Sequence, residues 1–404
     1  METTYQELQA LLEQYGSPLY VFEEQKFRDN YHYLQKTFQD RYENYRISYS
    51  YKTNYTPYVA ETVKSLGGYA EVVSEMEYRI AKKLGYEDNK IIFNGPNKGS
   101  CGQEAFLNGC MVNADSLCEL DALCRTAKMH PEKQLSLGIR VNLNLGQNFI
   151  SRFGIEEAQL PEAFEKVSRI PNLTAAGLHC HISRCRGLEA WKNRAEIMLT
   201  LADRYFSDPP QYIDLGSGMF GSMDPFFAAQ FDNIPTYEEY ADAAAGTFQK
   251  HYRGESRKPL LFTEPGTTLI NRFVNMVSRV EAIKTIRGKT FAVLDCSIHN
   301  LGETSILKEL PIWVIHGEGP QENYEDLEFA GYTCLEQDIL RRGYCGTLSV
   351  GDYVIFGNVG GYSNVLKPPF IRPNCAMTAR TPDGSFRLIK KAECFEDLLG
   401  TYIF

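Results

Sequence analysis

The sequence predicts a mixed α/β protein, a (β/α)8 barrel of the TIM type joined to a C-terminal β-rich domain. Three observations carry this. Eight short β-rich runs alternate with amphipathic helical stretches through the first two thirds of the chain, the pattern of a closed parallel sheet. After about residue 270 the helices fade and strands follow one another. The polar residues that chemistry needs cluster just after the eight runs, where a barrel of this kind builds its active site.

The eight runs are Arg46–Tyr51, Tyr69–Val73, Ile91–Asn94, Cys110–Asn113, Leu135–Val141, Ala175–His181, Tyr212–Leu215 and Leu260–Thr263. Segments between them, such as Pro57–Leu66 and Glu75–Leu84, space their apolar residues at helical intervals. A doubly wound open sheet satisfies the same alternation. Downstream, Phe273–Ile283, Phe291–Asp295, Pro311–His316, Leu327–Tyr332 and Leu348–Phe356 read as strands. Leu19–Phe22 is also strand-like and precedes the barrel. The expected division is therefore a barrel over residues 25–275, inserted into a β-rich domain formed by 1–24 and 276–404.

Composition narrows the function. The 404 residues carry 42 Lys+Arg and 51 Asp+Glu, a formal charge of −9. That lacks the basic footprint of a nucleic-acid binder. Apolar runs reach only about five residues, as in Pro18–Phe22, against the roughly 20 a spanning helix needs. The N-terminus is polar and amphipathic, without the pattern of a secretory signal. Eleven cysteines include no C-x-x-C pair. They read as free thiols in a reducing cytoplasm, and no metal site is expected.

Lys52 follows the first run, Ser74 and Glu77 the second, Gly95 and Asn97 the third, and Asp115 and Ser116 the fourth. Asn142 follows the fifth. His179 and His181 end the sixth, Gly216-Ser217-Gly218 follow the seventh, and Glu264-Pro265-Gly266 the eighth. A lysine can hold an aldehyde covalently. A glycine-rich turn lets backbone N–H groups approach a phosphate. A carboxylate beside a pyridine nitrogen keeps it protonated. Together these residue types fit pyridoxal phosphate.

The chain resembles the fold-type III pyridoxal phosphate-dependent decarboxylases, the group of diaminopimelate, ornithine, arginine and carboxynorspermidine decarboxylases. The matching segments are YSYKTN (49–54), EVVSEME (71–77), IIFNGPNKG (91–99), NADSLCEL (113–120) and ISRFGI (150–155). They continue with GLHCHI (177–182), IDLGSGMFG (213–221), TEPG (263–266), CLEQD (334–338) and GGYS (360–363). The resemblance implies an amino-acid α-decarboxylase that works as a homodimer with shared active sites. It implies Lys52 as the aldehyde-binding lysine, His181 stacked on the cofactor ring, and Gly216, Ser217 and Gly218 at the phosphate with Tyr362. Glu264 would face the pyridine nitrogen, with Glu71 and Ser74 near the lysine. Cys334 would return a proton from the other subunit, with Asp338 in the same substrate-contacting loop.

Some positions depart from the family. Ser183-Arg184 stand where the family has Gly-Ser, and Thr267 where it has an arginine that holds the phosphate; Arg184 is a candidate replacement. Leu335 follows the cysteine where diaminopimelate decarboxylases have an acid. Glu303 aligns with a substrate-binding arginine of theirs. Both changes point away from a substrate with a zwitterionic distal end. Two other readings remain at this stage. A racemase of the same barrel class pairs the pyridine nitrogen with arginine, which Glu264 disfavours. A non-catalytic homologue acting as a binding protein is disfavoured by the joint presence of Lys52, His181, Glu264 and Cys334.

Overall fold

A computed structural model describes residues 3–182 and 184–403. The first strand, β1 (Leu19–Glu23), belongs to a second sheet described below. The barrel follows as β2 (Tyr45–Ser50), β3 (Tyr69–Val72), β4 (Ile91–Phe93), β5 (Met111–Ala114), β6 (Leu135–Asn142), β7 (Leu173–His179), β8 (Tyr212–Asp214) and β9 (Leu260–Thr263). All neighbours pair in parallel, and β9 pairs with β2 to close the ring. Closure excludes the open-sheet alternative. A two-residue strand, Ile155–Glu156, adds to the end of β6.

The barrel interior is packed. Tyr69, Ile92, Ala176, Tyr212 and Phe262 form one buried cluster. Two strand glycines make room for it: a Cβ on Gly177 would meet the Tyr212 ring, and one on Gly138 would meet Asn113 and the Tyr212 hydroxyl. Serines terminate two loops by capping the next helix. Ser74 accepts from the Glu77 amide at 3.3 Å, and Ser116 from the Glu119 amide at 3.2 Å. Such caps satisfy amides that the helix start leaves open.

The second sheet comprises β1, β10 (Val274–Ile286), β11 (Lys289–Leu294), β12 (Ile312–Ile315), β13 (Glu322–Ala330), β14 (Ile339–Leu348), β15 (Tyr353–Phe356), β16 (Ala376–Arg380) and β17 (Phe386–Lys390). Its main path runs β14-β13-β11-β10-β1-β16-β17, with β15 joining β10 to β12. β1 lies inside this sheet, antiparallel to β10 and parallel to β16. Helix Tyr5–Tyr15 buries Leu8, Leu11 and Leu12 against Leu19, Val21, Val277, Tyr353 and Ile355. The i, i+3, i+4 spacing of its leucines puts them on one face.

By internal contact the chain divides into two units. One takes residues up to Asp29, Ser222–Asp232 and the chain from Leu269; the other takes Asn30–Gly221 and Asn233–Thr268. The barrel unit thus starts at Asn30 rather than 25 and ends at Thr268 rather than 275, and Ser222–Asp232 groups with the β-rich unit. Strands β14, β16 and β17 carry no clear apolar alternation, and the sequence reading missed them. β14 (ILRRGYCGTL) is largely solvent-facing, so burial imposes no pattern on it. The run Leu348–Phe356 is two strands, broken by a turn at Val350-Gly351.

Candidate active site

The mouth of the barrel, at the strand C-termini, holds a charged network. Lys52 lies in a single 3-10 turn, Tyr51–Thr53, directly after β2. Its Nζ is 2.5 Å from Glu71 Oε2, and the same oxygen accepts from Ser50 Oγ at 2.6 Å. Glu71 is buried on β3, while Lys52 stays partly exposed. The amine is therefore reachable but held by a buried carboxylate.

Glu264 follows β9 and is 1% exposed. It lies 3.2 Å from His181 Nδ1 and 3.2 Å from His179 Nε2. The His179 contact meets the distance but not the direction of a hydrogen bond, and both His179 nitrogens remain unsatisfied. Burial on its own would raise the Glu264 carboxyl. The two imidazoles and the Lys52 charge outweigh it and hold Glu264 well below the usual carboxylate range. Burial likewise lowers both histidines. Asp214, on β8, moves the other way: burial and the Glu264 charge push it well above the carboxylate range. His181 Nδ1 also lies 3.2 Å from the Ser217 amide. It donates to Glu264 when it carries the proton and accepts from Ser217 when it does not.

Asn94, immediately after β4, connects these groups. Its Nδ2 donates to Glu264 Oε1 at 2.5 Å and to Glu71 Oε1 at 3.2 Å. Its Oδ1 accepts from Asn113 at 2.8 Å, and Asn113 accepts from the Tyr212 hydroxyl at 2.7 Å. The chain of bonds crosses the barrel from β8 to β4 and β5. Arg140 on β6 pairs with Asp115 at 2.8 Å, both buried. Sequence reasoning missed Asn94 as a connector, along with Asn113, Arg140, Asp214 and Tyr212. The available signal was polar residues inside or abutting strands that otherwise read as apolar.

The glycine loop is shaped for close approach. Gly216 and Gly218 have φ of +69° and +107°, in the region that favours glycine. A Cβ on Gly216 would run into the Cys180 carbonyl and the His181 backbone. Gly216 N donates to Asp214 Oδ1 at 2.8 Å. Ser74 caps its helix with the oxygen expected near the lysine, and burial pushes the neighbouring Glu77 up to about 7. Arg184 is exposed, with φ of +68°. Ser183, the other half of that departure, lies outside the described residues.

Thus the barrel unit brings Lys52, His181, Ser217 and Glu264 together, with Gly216 and Gly218 beside them and Arg184 at the surface. The remaining candidates lie in the β-rich unit. Cys334 is exposed and Leu335 half-buried. Asp338 is buried, and its carboxylate accepts from the Ile298 amide at 2.7 Å and from the Thr333 amide and hydroxyl at 3.1 and 2.6 Å. It pins the Cys334 loop to the segment leading to Glu303. Glu303 is exposed at the start of the short helix Thr304–Leu307. Tyr362 is half-buried with φ of +56°, and the preceding Gly361 amide donates to Asn271 Oδ1.

Known proteins resemble this chain over nearly its whole length. Residues 26–271 match the family model of the pyridoxal-dependent decarboxylase pyridoxal-binding domain. A diaminopimelate decarboxylase of Methanothermobacter thermautotrophicus is 25% identical, with 96% of this chain and 92% of the relative covered. One of Aquifex aeolicus is 24% identical at the same coverages. Among solved structures, diaminopimelate decarboxylase from Helicobacter pylori complexed with L-lysine has a TM-score of 0.80 at 20% identity, covering 97% of this chain and 98% of that one. Lysine decarboxylase from Selenomonas ruminantium has 0.73 at 20% identity, covering 92% and 94%.

Proposed function

We propose that Lys52, His181, Glu264 and Cys334 carry the reaction of this chain, which belongs to the pyridoxal-dependent decarboxylases: it binds pyridoxal phosphate and removes the α-carboxylate of an amino acid. The observation that supports this assignment best is the contrast between Lys52, an accessible amine against buried Glu71, and Glu264, a buried carboxylate held ionised.

The residues fit the cofactor. A left-handed glycine turn that excludes any Cβ receives a phosphate, an accessible lysine receives an aldehyde, and an ionised carboxylate receives a pyridinium N–H. When bound, the cofactor supplies a protonated ring that takes up the electrons of the broken carbon–carbon bond. Glu71, itself held by Ser50, positions the Lys52 amine for the aldehyde. His181, fixed by Glu264 or by the Ser217 amide, offers a face for stacking. Ser74, Gly216, Ser217, Gly218, Arg184 and Tyr362 are the further cofactor contacts. Cys334 donates a proton to the substrate carbon after carbon dioxide leaves, from the partner subunit of a homodimer.

The substrate side is set by charge. Glu303 and Leu335 favour a distal end that is cationic or neutral, and Asp338 holds their loop. A carboxylate such as Glu303 repels a distal substrate carboxylate and attracts a distal amine; at the exposed position Glu303 holds, rather than a buried one, that is worth about 0–1 kcal/mol, up to roughly fivefold. Free thiols at all eleven cysteines support a reducing cytoplasmic setting. Among the described residues no helix is long and apolar enough to cross a membrane.

The test is carbon dioxide release from meso-diaminopimelate, lysine, ornithine and a carboxyalkyl polyamine, compared by kcat/KM. A substrate without a distal carboxylate is expected to lead. Diaminopimelate leading by tenfold or more would overturn the charge argument; no release from any α-amino acid would overturn the assignment of the residues.

A further inference from the structure

Arg194 lies on the long helix Leu188–Tyr205, facing the back of the glycine loop. It is fully buried, at 0% exposure. Its Nη1 donates to the Leu215 and Ser217 carbonyls, each at 2.8 Å. In a trans peptide the carbonyl and the following N–H point in opposite directions. Holding the Ser217 carbonyl therefore turns the Gly218 amide away from Arg194.

The rest of the guanidinium is unsatisfied. Nε and Nη2 are buried without a hydrogen-bond partner among the described residues. No carboxylate among them lies within ion-pair distance, and the Trp191 ring lies 4.5 Å from the guanidinium carbon. Nη2 lies 3.9 Å from where a Cβ on Gly218 would sit. Guanidinium stays protonated in proteins. A fully buried, unpaired cation is costly, and folds retain one where an opposite charge arrives. The opposite charge that a glycine loop of this shape receives is an anion.

We infer that Arg194 is the fixed counter-charge of the phosphate bound at Gly216–Gly218, acting from behind the loop. The role matters here because Thr267 stands where the resembling family places a phosphate-holding arginine, and Arg184 is exposed. The inference rests on reading Gly216–Gly218 as the phosphate loop. Arg194 is a positioning residue: it aims the loop amides and supplies charge at short range through a dry interior.

The experiment measures the affinity of the apo protein for pyridoxal phosphate and for unphosphorylated pyridoxal, by quenching of intrinsic fluorescence. Arg194→Met keeps much of the length of the side chain and removes its charge. Pyridoxal phosphate should bind at least 30-fold more weakly, and pyridoxal within threefold of wild type. Equal weakening for both ligands, or none for either, would overturn the inference. If the Met variant does not fold, the same ratio is read on Arg194→Lys and Arg194→Gln. Lys keeping at least three times the phosphate discrimination of Gln supports the inference; equal discrimination overturns it. Wild type that fails to prefer the phosphorylated ligand would overturn the phosphate-loop reading itself.

Discussion

Replacing Asn94 with aspartate exchanges one NH2 for an oxygen at the most connected point of the site. The wild-type amide donates to Glu264 at 2.5 Å and Glu71 at 3.2 Å, with all three residues buried. Each bond to a charged acceptor is worth about 1.5–3 kcal/mol, so losing two costs about 3–6 kcal/mol. An ionised aspartate in that place would add like-charge contacts of about 5 kcal/mol each at about 3 Å and an effective dielectric of about 20. Protonation of the introduced carboxyl limits that cost, and this gives the test its sign. Burial between two carboxylates raises the folded-state pKa of the new group above its unfolded value. The stability of Asn94→Asp relative to wild type is then fullest below about pH 4 and falls as pH rises through the folded value. Thermal unfolding of the apo protein should show the variant melting about 10 °C below wild type at pH 8, at roughly 2–4 °C per kcal/mol for a unit of this size. The gap should narrow toward pH 5. A variant within about 2 °C of wild type at both pH values, or a gap that does not change with pH, would refute the electrostatic role given to Asn94.

Glu77→Gln tests the buried carboxyl beside the lysine: Glu77 is raised to about 7, so its contribution is fullest below about pH 4.5 and is lost as pH rises through about 7. Urea unfolding should show wild type losing about 3 kcal/mol relative to the Gln variant between pH 4.5 and 8; parallel stability profiles would remove the claim. Cys334 is tested by hybrids. Mixed Lys52→Ala and Cys334→Ala chains should regain up to about a quarter of wild-type carbon dioxide release, because one of the two sites in a hybrid dimer is intact. No recovery despite demonstrated subunit exchange would place Cys334 and Lys52 in one chain.

The barrel was legible because its strands are buried on both sides: short apolar runs such as IIF and LLFT stand out whatever their neighbours. Solvent-facing strands were not, and FRLIK shows why, since its burial is partial and its pattern weak. Lys52, His181 and Glu264 were legible because each is a reactive residue type just past a strand. Asn94 and Arg194 were not. Asn94 sits in NGPN, which reads as a turn, and its partners are 23 and 170 residues away. Arg194 reads as one more charge on a helix, and only burial reveals that it faces inward. Asp338, expected at the substrate, has its carboxylate engaged by Ile298 and Thr333, a local role that spacing does not disclose.

Lys52 as the lysine that holds the cofactor is the central claim, and borohydride reduction of the cofactor-loaded protein tests it directly. Reduction followed by peptide mapping should place one pyridoxyl group per chain on Lys52, and Lys52→Ala should retain none after dialysis. A pyridoxyl group mapped to any other lysine, with Lys52 unmodified, would contradict it.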